Sequence, residues 1–147
     1  MTPPELDLDV VRQKLAAIED SLDSLESLHE VTATLLSEDA IIAAAVERLL
    51  SRIVDLAVDI NSHIVVAVSG RSPGAYAESF RMATKMGVLD PELGDRLVGS
   101  VGMRNVIVHQ YVDLDHVIVA KAVPEALECY RRYVSAVARF VLERQRG

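Results

Sequence analysis

Between Arg104 and Tyr111 the chain reads Arg-Asn-Val-Ile-Val-His-Gln-Tyr, a segment whose side chains could handle a phosphodiester. A histidine near neutral pKa can take the proton from a ribose 2′-hydroxyl or return one to a leaving oxygen. An arginine can stabilise the charge that builds on the phosphoryl oxygens. Such a pair needs neither metal nor cofactor. One imidazole cannot serve as base and acid at once, so a symmetric dimer that brings two copies together would complete the chemistry. Arg104 and His109 are five residues apart, about 140° around a continuous helix, and would not share a face. Asn105 and His109 are four apart and would, so Asn105 can hold one ring nitrogen and set the tautomer. If the helix ends near His109 and the chain then extends, His109 and Tyr111 point the same way.

Helices must carry this segment. Val11, Leu15, Ile18, Leu22, Leu25 and Leu28 form one apolar stripe, predicting an outer helix over about 9–29. A second helix is expected from about Glu38 to Val68, with Ser37 as N-cap. It is apolar over more than one face and therefore central. Its last turn, Ile64 to Val68, has strand propensity but keeps the helical period. Gly70 to Gly74 reads as a loop. Ser72-Pro73 predicts the start of the next helix and Gly87 its end. Asp90-Pro91 opens a helix to about Val108 that contains Gly94, Gly99 and Gly102, glycines that suit close helix contact. Asp113 or Asp115 begins a short helix, and Pro124 restarts the chain as a last amphipathic one. The fold class is all-α, a four- to five-helix up-and-down bundle forming one domain over 1–147.

The composition suits that fold. Half of the 147 residues are hydrophobic, mostly Val, Leu, Ile and Ala, and Trp is absent. The single cysteine, Cys129, excludes an internal disulfide and any multi-cysteine metal site, and reads as a small buried hydrophobe. With no leader pattern at the N-terminus, this points to the cytoplasm. The longest apolar run, Ile64–Val68, is too short to span a bilayer. Residues 1–47 carry 11 acidic and 2 basic side chains, net −9, whereas residues 48–147 are net +2. A general nucleic-acid binder would be broadly basic, so RNA binding would have to be local.

Asp59 and His63, four apart on the central helix, could pair either as a support for the site or as an ordinary interior pair. Gly99-Ser100 followed by Asp113 and Asp115 mimics a nucleotidyltransferase pattern, but those aspartates precede a helix and read as caps. Val66 to Gly74 matches no phosphate-loop pattern, and Pro73 removes a donor such a loop would use.

Gly102-Met103-Arg104-Asn105 through Tyr111 resembles the Arg-x4-His-x-Tyr signature of HepT-like toxins, a branch of the HEPN superfamily. Val46 to Leu50, Val58 to Ile64 and Ser72 to Phe80 look like the family's second helix and next helix start. The resemblance implies a dimerising helical bundle with a composite ribonuclease site at the dimer interface. It implies Arg104 and His109 as catalytic, Asn105 as support, and a minimal nucleotidyltransferase antitoxin that adenylylates Tyr111. The rival reading is a non-catalytic helical module that binds a nucleotidyltransferase. A blander one has Arg104 and His109 merely paired with acidic neighbours. Gly99 and Gly102, upstream of the motif, depart from the family pattern, in which ordinary helix formers are expected.

Overall fold

The computed structural model describes residues 5–110 and 114–146. Within them lie six helices: α1 (Leu8–Ser27), α2 (Ala33–Glu38), α3 (Ala40–Ser69), α4 (Tyr76–Lys85), α5 (Pro91–His109) and α6 (His116–Arg146). No strand occurs among the described residues, so the helical bundle expected from the sequence stands. It has one helix more than expected.

The extra element is α2. The sequence reading assigns nothing to residues 33–36, because six residues, fewer than two turns, carry no periodicity to detect. Thr32 caps it by accepting from the Leu35 amide at 3.0 Å, and Leu36 buries its side chain. The cap of α3 is consequently Asp39, not Ser37; its carboxylate accepts from the amides of Ile41 and Ile42, both at 3.1 Å. α3 continues as helix through Ile64–Val68 and stops at Gly70, whose φ of 72° is the left-handed value that glycine adopts most easily. It touches every other helix, as its all-round apolarity requires.

α4 starts at Tyr76, three residues beyond the Ser72-Pro73 signal. No side chain caps it; instead the Glu78 carboxylate reaches back to the Gly74 amide at 2.8 Å. α5 begins as expected, Asp90 accepting from the Leu93 amide at 2.8 Å with Pro91 in the first turn. α6 is one helix, and Pro124 does not restart it. The proline costs a backbone bond. Its ring lies on the exposed side, while Val119, Val123, Ala126, Tyr130, Tyr133, Val137 and Val141 form an uninterrupted buried stripe. Burial of that stripe outweighs the local cost.

A buried polar chain ties α6 to α3 and α4. The Tyr133 hydroxyl lies 2.7 Å from Asn61 Oδ1 and 3.0 Å from the Ala57 carbonyl, and can donate to either. Asn61 Nδ2 donates to Ser79 Oγ (3.2 Å), and Ser79 donates to the Tyr76 carbonyl (2.7 Å). The chain therefore ends on the first residue of α4. At the other end of α4, Thr84 packs on Gly94, and Tyr76 meets Arg104 near the end of α5. These two contacts make α4 and α5 antiparallel and fix their register.

Candidate functional site

Arg104 lies in the last third of α5, where that helix passes between α3 and the start of α4. Its side chain is 18% exposed. Nε donates to Asp55 Oδ1 of α3 at 3.0 Å. The guanidinium carbon stands 4.8 Å from the centre of the Tyr76 ring, within cation–π range. Nη1 donates to Asn105 Oδ1 at a longer 3.3 Å. The arginine is thus gripped on one edge by a carboxylate and on one face by an aromatic ring.

Asp55 is 37% exposed and so keeps some water. The Tyr76 hydroxyl is pushed above its ordinary value, first by burial and then by the Asp55 carboxylate. It stays protonated at neutral pH and adds no anion beside the arginine.

α5 runs unbroken from Arg104 to His109 and stops there. Gln110 is extended, with φ −102° and ψ 94°, and its amide still bonds the Val106 carbonyl at 3.0 Å. Arg104 and His109 therefore lie about 7.5 Å apart along one helix and about 140° apart around it, as their spacing predicts. His109 and Asn105 are exposed, whereas Arg104 is turned inward. Tyr111 lies outside the described residues, as does Asp113.

Two expectations about supporting residues change. Asn105 turns its side-chain oxygen to Arg104, and no hydrogen bond joins it to His109 among the described residues. Adjacency along the chain wins over the i,i+4 relation because the guanidinium is the stronger donor. Nor do Asp59 and His63 pair. The Asp59 carboxylate takes Lys14 Nζ of α1 at 3.2 Å, and both Asp59 and His63 are exposed, so they form no interior pair. They line one shallow depression with Asp7, Lys14 and Ser62. Asp59 still belongs to the neighbourhood, since its charge also raises the Tyr76 hydroxyl.

Asp55 and Tyr76 are the residues the sequence reading missed. A signal for Asp55 existed: it is an acid on a helix otherwise apolar over several faces, one turn before Asp59. For Tyr76, which the sequence presents only within a helix start, nothing local marks a role. The glycines also separate. A methyl on Gly94 would strike Thr84, so this glycine marks the close helix contact that was expected. Gly99 and Gly102 have open space where a methyl would go, so they mark no contact among the described residues.

Among the described residues, no helix is long and apolar enough to cross a membrane.

A family model described as ribonuclease HepT-like matches residues 18–137. A tRNA nuclease HepT from Aphanizomenon flos-aquae is 35% identical over 96 residues, which are 65% of this chain and 65% of that protein, just under two thirds of its length. An mRNA nuclease HepT from Shewanella oneidensis is 24% identical over 129 residues, 88% of this chain and 96% of that one. Among solved structures, a tri-AMPylated Shewanella oneidensis HEPN toxin in complex with an MNT antitoxin has the same fold. The TM-score is 0.81 at 23% identity, over 90% of this chain and 99% of that chain. A cytosolic protein of unknown function from Bacillus subtilis matches equally in shape, with a TM-score of 0.81 at 16% identity over 92% of this chain and 91% of that chain.

Proposed function

The chain belongs to the HepT-like ribonuclease family, and from that premise we propose that it is the toxin of a toxin–antitoxin pair, a metal-independent endoribonuclease acting in the cytoplasm as a single-domain homodimer. The observation that carries this reading is the placement of Arg104, oriented by Asp55 and Tyr76 on the helix that ends at His109. Relatives named as tRNA and mRNA nucleases support RNA as the substrate.

In this mechanism one neutral His109 removes the proton from a 2′-hydroxyl. The 2′-oxygen attacks phosphorus, the bond to the 5′-oxygen breaks, and a second, protonated imidazole gives that oxygen its proton. The second imidazole is His109 of the other copy, which makes each chain half a site. Arg104 neutralises the phosphoryl oxygens as their charge grows.

A nucleotidyltransferase antitoxin is the proposed partner, with Tyr111 the residue it adenylylates. The Shewanella toxin, AMPylated and bound to an MNT antitoxin, supports this by analogy. One observation favours the rival, non-catalytic module: Arg104 already has a carboxylate partner, as a purely structural arginine would.

The test is RNA cleavage by the purified chain in excess chelator. His109→Ala is expected to lose about 10²–10⁴-fold in rate while remaining folded and dimeric. Cleavage by His109→Ala at the wild-type rate would refute His109 as the catalytic residue, and no cleavage by the wild type would refute the nuclease reading and leave the binding module standing. Intact-mass measurement after co-expression with the neighbouring nucleotidyltransferase is expected to show added AMP, absent from Tyr111→Phe.

A further inference from the structure

Among the described residues five arginines are ion-paired; apart from the exposed Arg12, 4.0 Å from Asp9 one helical turn away, the other four fall into two kinds. Arg96 is saturated: Nε donates to Glu125, Nη1 to Glu92 and Glu128, and Nη2 to both Glu125 and Glu128, at 2.9–3.3 Å. Arg131 and Arg132 each bridge two carboxylates through one terminal nitrogen, Nη2. Arg96's pairs use up the fork that would otherwise meet a phosphate, and those of Arg131 and Arg132 set two carboxylates against one terminal nitrogen, whose charge would repel it.

Arg104 differs. It is the most buried of the four, at 18% exposed against 25–39%. It has one carboxylate, and that carboxylate takes Nε, not the terminal nitrogens. Its only other bond is the 3.3 Å contact from Nη1 to the neutral amide of Asn105, and Nη2 has no partner among the described residues. The Tyr76 ring covers one face. A guanidinium is a planar fork, so fixing one edge and one face fixes where the remaining edge points.

We propose that Asp55 and Tyr76 are positioning residues that present the Nη edge of Arg104 to a phosphoryl oxygen of the RNA. The inference rests on the ribonuclease reading and deepens it by naming what aims the arginine. Asp55 touches no reacting atom; it acts through Arg104. The support is itself anchored, because the Tyr133–Asn61–Ser79 chain ends on the Tyr76 carbonyl and holds that ring's backbone in place.

A carboxylate beside an arginine that binds an anion has a cost: it cancels charge that would attract RNA. Charge and geometry can therefore be separated by substitution. Asp55→Asn keeps an oxygen for Nε and removes the negative charge. Asp55→Ala removes both. The experiment measures kcat and KM for RNA cleavage by the full chain, purified free of antitoxin, with thermal melts of every variant.

Asp55→Ala is expected to lower kcat about 10–100-fold, the scale of a misaimed catalytic group. Asp55→Asn should recover at least half of that loss on a logarithmic scale, with KM equal to or below that of the wild type. In an Arg104→Ala background, Asp55→Ala should change the residual rate less than twofold, because nothing remains to be aimed. Tyr76→Leu, which removes the ring, should lower kcat more than Tyr76→Phe, which keeps it over the guanidinium; equal kcat for the two would overturn the role of the ring, and this pair carries the test if Asp55→Ala fails to fold.

Asp55→Ala within twofold of wild type while Arg104→Ala is inactive would overturn the inference and leave the ribonuclease reading intact. Equal losses from Asp55→Asn and Asp55→Ala, persisting in the Arg104→Ala background, would also overturn it, since that pattern is structural. Full activity of Arg104→Ala would instead overturn the assignment of the arginine on which the inference stands.

Discussion

Three glycines on α5 offer the same substitution in different surroundings. A methyl added at Gly94 would collide with Thr84 of α4. It would press on the side-chain oxygen and also stand 3.1 Å from Cγ2 and 3.2 Å from Cβ. Rotating the threonine gives little relief, because Cβ itself is within that distance. Rotation also breaks the bond from the Thr84 hydroxyl to the Phe80 carbonyl, 2.8 Å long. Overpacking of this kind costs about 1–3 kcal/mol. The helix gains about 0.8–1 kcal/mol when alanine replaces an interior glycine. With three heavy atoms in the way, the net at Gly94 is a loss of about 1–2 kcal/mol. At Gly99 and Gly102 nothing among the described residues stands within 4 Å of the new methyl, so the helix term acts alone and each variant gains about 0.5–1 kcal/mol. For a chain of this size each kcal/mol moves Tm by about 3–4 °C. Gly94→Ala should melt about 3–8 °C below wild type and Gly99→Ala about 2–4 °C above it, by circular dichroism at two protein concentrations. Gly94→Ala should also lower RNA cleavage, since Gly94 sets the α4–α5 register that brings Tyr76 to Arg104. A Gly94→Ala protein as stable as Gly99→Ala would refute the contact argument. A concentration-dependent fall at Gly99 would show that the open face of α5 meets a second chain.

Other outcomes follow from the buried polar groups and the surface ion pairs. Tyr133→Phe strands Asn61 Oδ1 in a fully buried position and should cost about 1–3 kcal/mol, read by urea denaturation with an unchanged m-value. Cys129 is buried and its thiol is pushed up to about 11, by burial first and then by Glu125. It should therefore resist a thiol-specific reagent at pH 8 and react at once after unfolding. Hydrogen bonds from Arg96 hold the carboxyls of Glu125 and Glu128 below the ordinary 4.5. Lowered folded values mean stability that is present above pH 4.5 and lost as the pH falls through them. The deficit of an Arg96→Gln variant, measured by thermal melts, should therefore be largest near neutrality and shrink toward pH 3.

What could be read from the sequence and what could not divides along one physical line. Spacing along a chain reports local geometry. It therefore placed the α1 stripe, the Asp90-Pro91 start and the Gly87 end, and it separated Arg104 from His109 around the helix. It failed where another interaction outweighs the one that spacing suggests. Asn105 leaves His109 for a guanidinium, Asp59 leaves His63 for Lys14, and Pro124 is carried by the buried stripe on either side of it. Asp55 lies 49 positions from Arg104, and no periodicity links two helices before they pack. The same line explains why Arg96 and Arg104, eight residues apart on α5 and alike in type, have different environments. Arg96 faces α6 and its glutamates, which occupy its whole fork. Arg104 faces one aspartate on α3 and one ring on α4, which occupy an edge and a face. How much of its fork an arginine keeps open thus depends on which of its atoms are already taken, and at Arg104 that depends on the packing of α5 against two other helices.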